Sequence, residues 1–202
     1  MKEQLQNYVN KLPSLFITLP ETRKNLLQDL IHFIQDKKNN NQEINLLFIC
    51  THNSRRSHFA QIWAKVAAHY YKISQVNTFS GGTEATAFNE FAIKSLVTDG
   101  FEITAQDETS NPVQLVDWEE GQIKVFSKTI DHSENPTTNF GAIFTCNEAD
   151  KACPTVNGAD FRIALAYDDP KKFDGTIYQN RKYDERSKQI ATELFYVFSM
   201  IK

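Results

Sequence analysis

Long apolar runs are missing from this 202-residue sequence, and its N-terminus lacks the cationic start and apolar block of a signal peptide. Without a stretch of about 20 apolar residues no helical membrane span is expected, and the two absences together predict a soluble, cytoplasmic protein. Cysteine is scarce. Cys50, Cys146 and Cys153 are the only three, too few for a disulfide scaffold, and an odd count in a cytosolic chain points to reactive or core thiols. No histidine stands at ligand spacing to them, so no metal site is expected. Excess charge is absent as well: a formal net charge of -3 gives no reason to expect nucleic acid or an anionic membrane surface as a partner. What remains is a chain long enough for one domain with a full core and an appendage.

The stretch Ile44 to Ser57, INLLFICTHNSRRS, organises the rest. Leu46, Leu47, Phe48 and Ile49 form a run too short for a helical face, which reads as a buried strand ending at Cys50. From Cys50 to Arg56 the spacing is C-x5-R. Ser57 then opens an amphipathic segment whose apolar positions, Phe59, Ile62, Trp63, Val66 and Ala67, recur at three and four. Strand, loop and helix in this order aim successive backbone N–H groups and a helix N-terminus at one point, which holds a tetrahedral oxyanion without a metal. Cys50 stands at the centre of that field. A thiolate is a nucleophile favoured beside a cation and a helix N-terminus, and Arg56 offers a planar fork for two oxygens of phosphate or arsenate. Asn53 and Ser57 are placed to hydrogen-bond the loop and the sulfur. The plain alternative is an inert core cysteine at a strand end.

Residues 1–41 read as a helical extension. Thr18 with Glu21 three residues on suggests a capped helix start, and Leu26, Leu27, Leu30, Ile31 and Ile34 give a stripe that ends in KKNNNQ. This arm is expected to pack on the domain of residues 42–202 or on a second subunit. Val76 to Ser80 reads as a second strand broken by Gly81 and Gly82. Asn89 to Asp99 reads as a helix that buries Phe91, Ile93, Leu96 and Val97 and stops at Gly100. Gln106 to Asn111 is loop-like, and Val113 to Ile130, two alternating runs around Glu119, Glu120 and Gly121, reads as a β-hairpin bordering the site or an interface. Ala142 to Cys146 is the next buried strand, IALAY a further one, and a final helix from about Arg181 carries Ile190, Leu194, Val197 and Ile201. This alternation is that of a parallel sheet with helices on its faces. Cys50 and Cys146 then both lie at carboxyl ends of strands, where open α/β sheets place their sites. By spacing alone, Cys146 and Cys153 can be unrelated core thiols, and Asp168 and Asp169 before Pro170 a surface turn.

CTHNSRRS resembles the CTxNSxRS phosphate loop of the low-molecular-weight tyrosine phosphatase superfamily, and more closely its thioredoxin-coupled arsenate reductase branch. FSGGTEA (Phe79 to Ala85), TCNEADKACP (Thr145 to Pro154) and YDDP (Tyr167 to Pro170) follow in the right order. The resemblance covers about residues 44 to 202 and implies a three-layer α/β fold: a four-stranded parallel sheet with helices on both faces, into which the hairpin of residues 113–130 is inserted. It implies that Thr51, His52, Asn53, Ser54, Arg55, Arg56 and Ser57 bind the oxyanion and that Cys50 attacks arsenate. Cys146 then forms a disulfide with Cys50 as arsenite leaves, and Cys153 takes the disulfide over to Cys146. Thiol exchange needs a mobile resolving segment, which the polar NEADKA is expected to supply. Asp169, immediately before the proline, corresponds to the general acid, with Asp168 left as surface. No bound cofactor is implied, only an external dithiol such as thioredoxin.

Two other functions fit the same residues. One is a phosphatase that forms a phosphocysteine at Cys50, with Cys146 and Cys153 as spectators. The other is a non-catalytic anion-binding regulatory module that docks through the arm and hairpin, which are also the candidate homodimer surfaces. Lys171 and Lys172 stand where the tyrosine phosphatases carry tyrosines, which argues against a phosphotyrosine pocket. Arg55 replaces a frequent fourth cysteine of the reductases, and His52, read as solvated, replaces a loop glycine. The positions matching a potassium site of some reductases, Asn53, Gln61, Ser80 and Asn111, lack acids, so no potassium is expected.

Overall fold

Residues 2–202 are described by a computed structural model. In chain order its elements are α1 (Glu3–Val9), α2 (Glu21–Asn39), β1 (Ile44–Cys50), α3 (Arg56–Tyr70), β2 (Val76–Gly82), α4 (Glu90–Asp99), β3 (Glu102–Ala105), β4 (Gln114–Asp117), β5 (Gln122–Val125), β6 (Phe140–Phe144), α5 (Asn147–Ala152), β7 (Ala159–Ala164) and α6 (Gln179–Ser199), with 3-10 turns at Leu12–Thr18 and Pro170–Phe173. β1 is buried at every position, as a strand covered on both faces must be. It pairs in parallel with β2 and β6, and β6 with β7, so the sheet order is β2-β1-β6-β7.

The two-residue period of β1 divides the core. Leu46 and Phe48 join the large cluster that contains Trp63 of α3 and Phe195 of α6, whereas Leu47 and Ile49 join a smaller one with Phe140, Phe144 and Ala149 of α5. Helices therefore cover both faces and three layers result. The arm packs on its own domain: Leu5, Val9, Leu12, Leu27, Leu30, Ile31 and Ile34 belong to the large cluster, and Tyr8 stacks on Trp63 at 5.4 Å between ring centres. Seven such side chains bring on the order of 10 kcal/mol of apolar burial, before the entropy of ordering the arm is subtracted.

Several local expectations are corrected. Thr18 caps nothing, since its Oγ1 donates to the Leu15 carbonyl at 2.7 Å; the N-cap of α2 is Pro20, which makes no side-chain cap bond. Gly81 and Gly82 continue β2 instead of breaking it, opposite Ile49 and Cys50. In α4 the buried positions are Ala92, Ser95, Leu96 and Asp99, while Phe91 and Ile93 are half-buried and Val97 is 47% exposed. The spacing of three and four that starts at Ala92 faces the core and leaves Val97 outside. β3 was not anticipated because it carries no alternation, being mostly exposed. It makes β4 and β5 the second and third strands of an antiparallel sheet ordered β3-β4-β5.

Asp99, at the C-terminal end of α4, is buried. It accepts from Ser187 Oγ at 2.9 Å, and Ser187 in turn accepts from Trp63 Nε1 at 2.9 Å. Burial, the main cause, and the nearby Asp184 push its carboxyl up to about 7, against the opposing pull of Ser187, Tyr8 and Lys188. Between roughly pH 4 and pH 7 the folded state holds this proton and the unfolded state has released it, so stability falls as pH rises through that window. Asp99→Asn should therefore raise Tm at pH 8 by roughly 2–4 °C per kcal/mol recovered and leave it unchanged at pH 4. Thermal melts at the two pH values check this; an equal gain at both would place the effect elsewhere.

Candidate active site

Residues 51–55 carry the chain from the end of β1 to the start of α3. Asn53 sits there at φ 43°, a left-handed conformation that asparagine tolerates better than most side chains. Five carbonyls of residues 50–55 are hydrogen-bonded by the surrounding protein. Cys50 O accepts from Thr83 N, Thr51 O from Glu84 N, Ser54 O from Asn89 N and Arg55 O from Phe59 N, while His52 O accepts from Thr86 Oγ1 and Ser127 Oγ. Among the described residues, the amides of 52–57 donate to no protein acceptor. Such a ring of free N–H groups at a helix start is a nest for an anion.

Cys50 is 4% exposed, and its Sγ lies 3.1 Å from Ser57 Oγ. Asn53 Nδ2 donates to that same hydroxyl at 2.8 Å, which leaves the Ser57 proton free to point at the sulfur. Arg56 directs Nη1 to the Tyr167 carbonyl at 2.9 Å and Nη2 to Asp169 Oδ2 at 2.8 Å. The loop arginine and the expected acid are thus brought together. Asp169 Oδ1 also accepts from Lys171 N, whereas Asp168 is 82% exposed and only 3.7 Å from Arg186. Arg55 Nε donates to Tyr183 OH at 2.9 Å; burial of that phenol, the largest cause, pushes it up to about 12. His52 Nδ1 stands 3.2 Å from Glu84, without a hydrogen-bond alignment, on a side chain 41% exposed. Ser54 Oγ donates to the Ala87 carbonyl, and Lys171 and Lys172 are exposed.

All three thiols are free; Cys50 and Cys146 belong to the smaller apolar cluster, with Cys153 at its edge. Cys146 is fully buried. Its Sγ accepts from Ala149 N at 3.4 Å and lies 3.5 Å from Thr51 Oγ1, at the foot of the loop. NEADKA, expected to supply a mobile segment, forms the helix α5, with Cys146 as its N-cap and Cys153 as its C-cap; its acidic first turn favours that state. Cys153, half-buried, lines a cavity of about 450 Å³ with His132, Phe140 and Val156.

Sequence reasoning missed the brace beneath the loop, which comes from the irregular segment that follows β5. Lys128 N donates to Asn53 Oδ1 at 2.9 Å, and Lys128 O accepts from Gly82 N at 2.9 Å. Ser127 exchanges bonds with Asn111, through Asn111 Nδ2 to Ser127 O and Ser127 N to Asn111 Oδ1. Burial lowers the Lys128 ammonium to about 8, and burial with Lys128 nearby lowers His58 to about 3, so a neutral imidazole backs the loop. Of the positions matched to potassium, Asn53 and Asn111 are thus engaged, while Gln61 Oε1 and Ser80 Oγ, like Thr78 Oγ1, are buried without a protein partner. Ordered water is the usual partner for such oxygens. No group of three or more His, Cys, Asp or Glu among the described residues is placed to hold a metal, and no helix among them is long and apolar enough to cross a membrane.

No family model matches the chain. An arsenate reductase from Halalkalibacterium halodurans is 28% identical over 152 residues, covering 73% of this chain and 92% of the relative. An arsenate reductase from Bacillus cereus is 27% identical over 144 residues, covering 71% and 89%. Among solved structures, a YwlE mutant from Bacillus subtilis superposes with a TM-score of 0.54 at 15% identity, over 78% of this chain and 97% of that one. The low-molecular-weight protein tyrosine phosphatase from T. tengcongensis does so at 0.52 and 14%, over 75% and 95%; at these identities the likeness is one of fold. Loop, sheet order and these relatives agree: the chain is similar to arsenate reductases over most of their length and shares the fold of the low-molecular-weight protein tyrosine phosphatases.

Proposed function

We propose that this chain is a thiol-dependent arsenate reductase. The observation that carries this reading is that Cys50 and Cys146 share one apolar cluster beside the loop, with Cys153 packed at its edge. The arsenate oxygens take the free amides of residues 52–57 and the fork of Arg56, and the Cys50 thiolate bonds to arsenic. Asp169, beside Arg56, gives a proton to the departing oxygen, which leaves as water. The Cys146 sulfur then attacks Cys50 Sγ. The S–As bond breaks, its electron pair goes to arsenic, As(V) becomes As(III), and arsenite leaves behind a Cys50–Cys146 disulfide. Cys153 attacks Cys146 Sγ, restores the Cys50 thiolate and passes the oxidised pair to an external dithiol of the thioredoxin type.

The last exchange sets a structural demand. Cys146 and Cys153 cap opposite ends of α5, so at 1.5 Å per residue their Cα atoms lie roughly 10 Å apart, beyond the roughly 7 Å a disulfide tolerates. The helix must unwind. One and a half turns is a marginal helix in water, which keeps that cost small.

The test is anaerobic: one equivalent of arsenate is added to fully reduced protein and the disulfides are mapped by peptide mass. The expected result is a Cys146–Cys153 bond with one equivalent of arsenite, absent in Cys50→Ser. Three free thiols and unchanged arsenate would overturn the reading. Phosphate ester hydrolysis, through a phosphocysteine at Cys50, is the second reading; the loop, Arg56 and Asp169 suffice for it, and the fully buried Cys146 with α5 wound speaks for it.

A further inference from the structure

We infer that Arg23, a residue of the N-terminal arm, is a positioning residue for the oxyanion site, acting through Glu193 and Tyr167 on Arg56. The inference rests on the proposed reading that the Cys50 loop is where the oxyanion binds.

The connection is continuous and buried. Arg23 Nε donates to both carboxylate oxygens of Glu193 at 2.9 Å, and its Nη2 makes a further ion-pair contact with Oε2 at 2.8 Å. The Arg23 guanidinium lies over the Tyr167 ring, 4.8 Å from its centre. Glu193, on α6, is 1% exposed; besides Arg23 it accepts from Tyr167 OH at 2.9 Å and from Gln189 Nε2 at 3.1 Å. Tyr167 is thereby held at its hydroxyl and across its ring. Its backbone is held too, with N donating to the Thr145 carbonyl beside Cys146 and O accepting from Arg56 Nη1. Two residues on, Asp169 takes the other arm of the same guanidinium. The arm thus supplies the cation that makes a buried carboxylate tenable. That carboxylate fixes the tyrosine whose carbonyl aims the arginine of the loop.

Removing Arg23 leaves Glu193 as an uncompensated buried charge, which must take up a proton or admit water. Either way Tyr167 loses its ring contact and its fixed acceptor, and the carbonyl that aligns Arg56 is free to turn. Substrate binding, which uses the whole fork of Arg56, should suffer more than turnover.

The experiment uses the full-length protein at 20 °C, with folding checked by circular dichroism. Two readouts are compared: calorimetric binding of inorganic phosphate, and the separate kcat and KM for arsenate. Arg23→Met should weaken phosphate binding and raise KM by about tenfold, with kcat changed less than about threefold; Arg23→Lys should restore part of the loss. Tyr167→Phe should act in the same direction, and the double variant Arg23→Met/Tyr167→Phe should be no worse than the poorer single one, because both cut one chain of contacts. If Arg23→Met does not fold, Tyr167→Phe against Arg23→Lys decides by the same readouts. Wild-type binding of phosphate with unchanged affinity and KM in the folded variants overturns the inference and leaves the reading of the loop intact. Failure of the wild type to bind either anion overturns both.

Discussion

Cys50→Ser should abolish arsenite formation, by more than about a thousandfold in turnover number. Serine keeps the shape of the site and the neighbouring Ser57 hydroxyl at 3.1 Å, but an alcohol is a far weaker nucleophile than a thiolate at neutral pH. Oxygen also cannot enter the disulfide through which the electrons leave. The informative contrast lies with the other two thiols. Cys153→Ser should release one equivalent of arsenite per chain and then stop, its two electrons spent on arsenic and the chain held as the oxidised Cys50–Cys146 disulfide. Cys146→Ser should release none, because nothing attacks the arsenic-bearing sulfur, yet it should hydrolyse a generic aryl phosphate within about threefold of wild type, since ester cleavage asks only for the nucleophile, the fork and the acid. Counting arsenite per chain in a stopped assay separates the three. Multiple turnovers of arsenite by Cys146→Ser would eliminate the relay, and no arsenite from the wild type would leave the phosphatase reading.

The parts legible in the sequence are the parts whose reason is local. β1 declares itself by an apolar run that both faces bury, the loop by the cysteine-to-arginine spacing, and α6 by a stripe at three and four. Proline before α2 and the unpatterned β3 defeat a reading based on caps and alternation. The polar character of NEADKA suggests a mobile segment, but α5 forms because Cys146 caps it and Ala149 is buried against the cluster. What could not be read at all is what distance in sequence conceals. Lys128 supports Asn53 from 75 residues away with its backbone alone, which no residue pattern encodes. Arg23 and Glu193 are 170 apart and look like ordinary solvated charges until burial makes each need the other.

Gly82→Ala should damage the fold and the oxyanion loop together. A Cβ there would stand 2.4 Å from Glu84 O, 2.6 Å from Thr51 O and 2.8 Å from Asn53 N. All three are backbone atoms, so no side chain can swing aside. β2 cannot retreat either, because Gly82 N donates to Lys128 O and Gly82 O accepts from Ile130 N. The strain must be relieved by the loop, where Thr51 and Asn53 give way and the amide of Asn53 leaves the convergent set. The expected outcome is a stability loss of about 1–3 kcal/mol or more together with phosphate affinity lowered by at least about tenfold, since one misplaced donor of an oxyanion nest costs that much or more. Gly81→Ala supplies the control. Its Cβ would meet Ile130 Cα at 3.0 Å and Asn135 Nδ2 at 3.1 Å, away from the loop, so it should lower Tm and leave phosphate binding unchanged. Calorimetric titration of both folded variants distinguishes a lost site from a weakened fold. A Gly82→Ala protein that stays folded and binds phosphate like wild type would mean that residues 51–57 are not where the anion sits, whatever their resemblance in sequence.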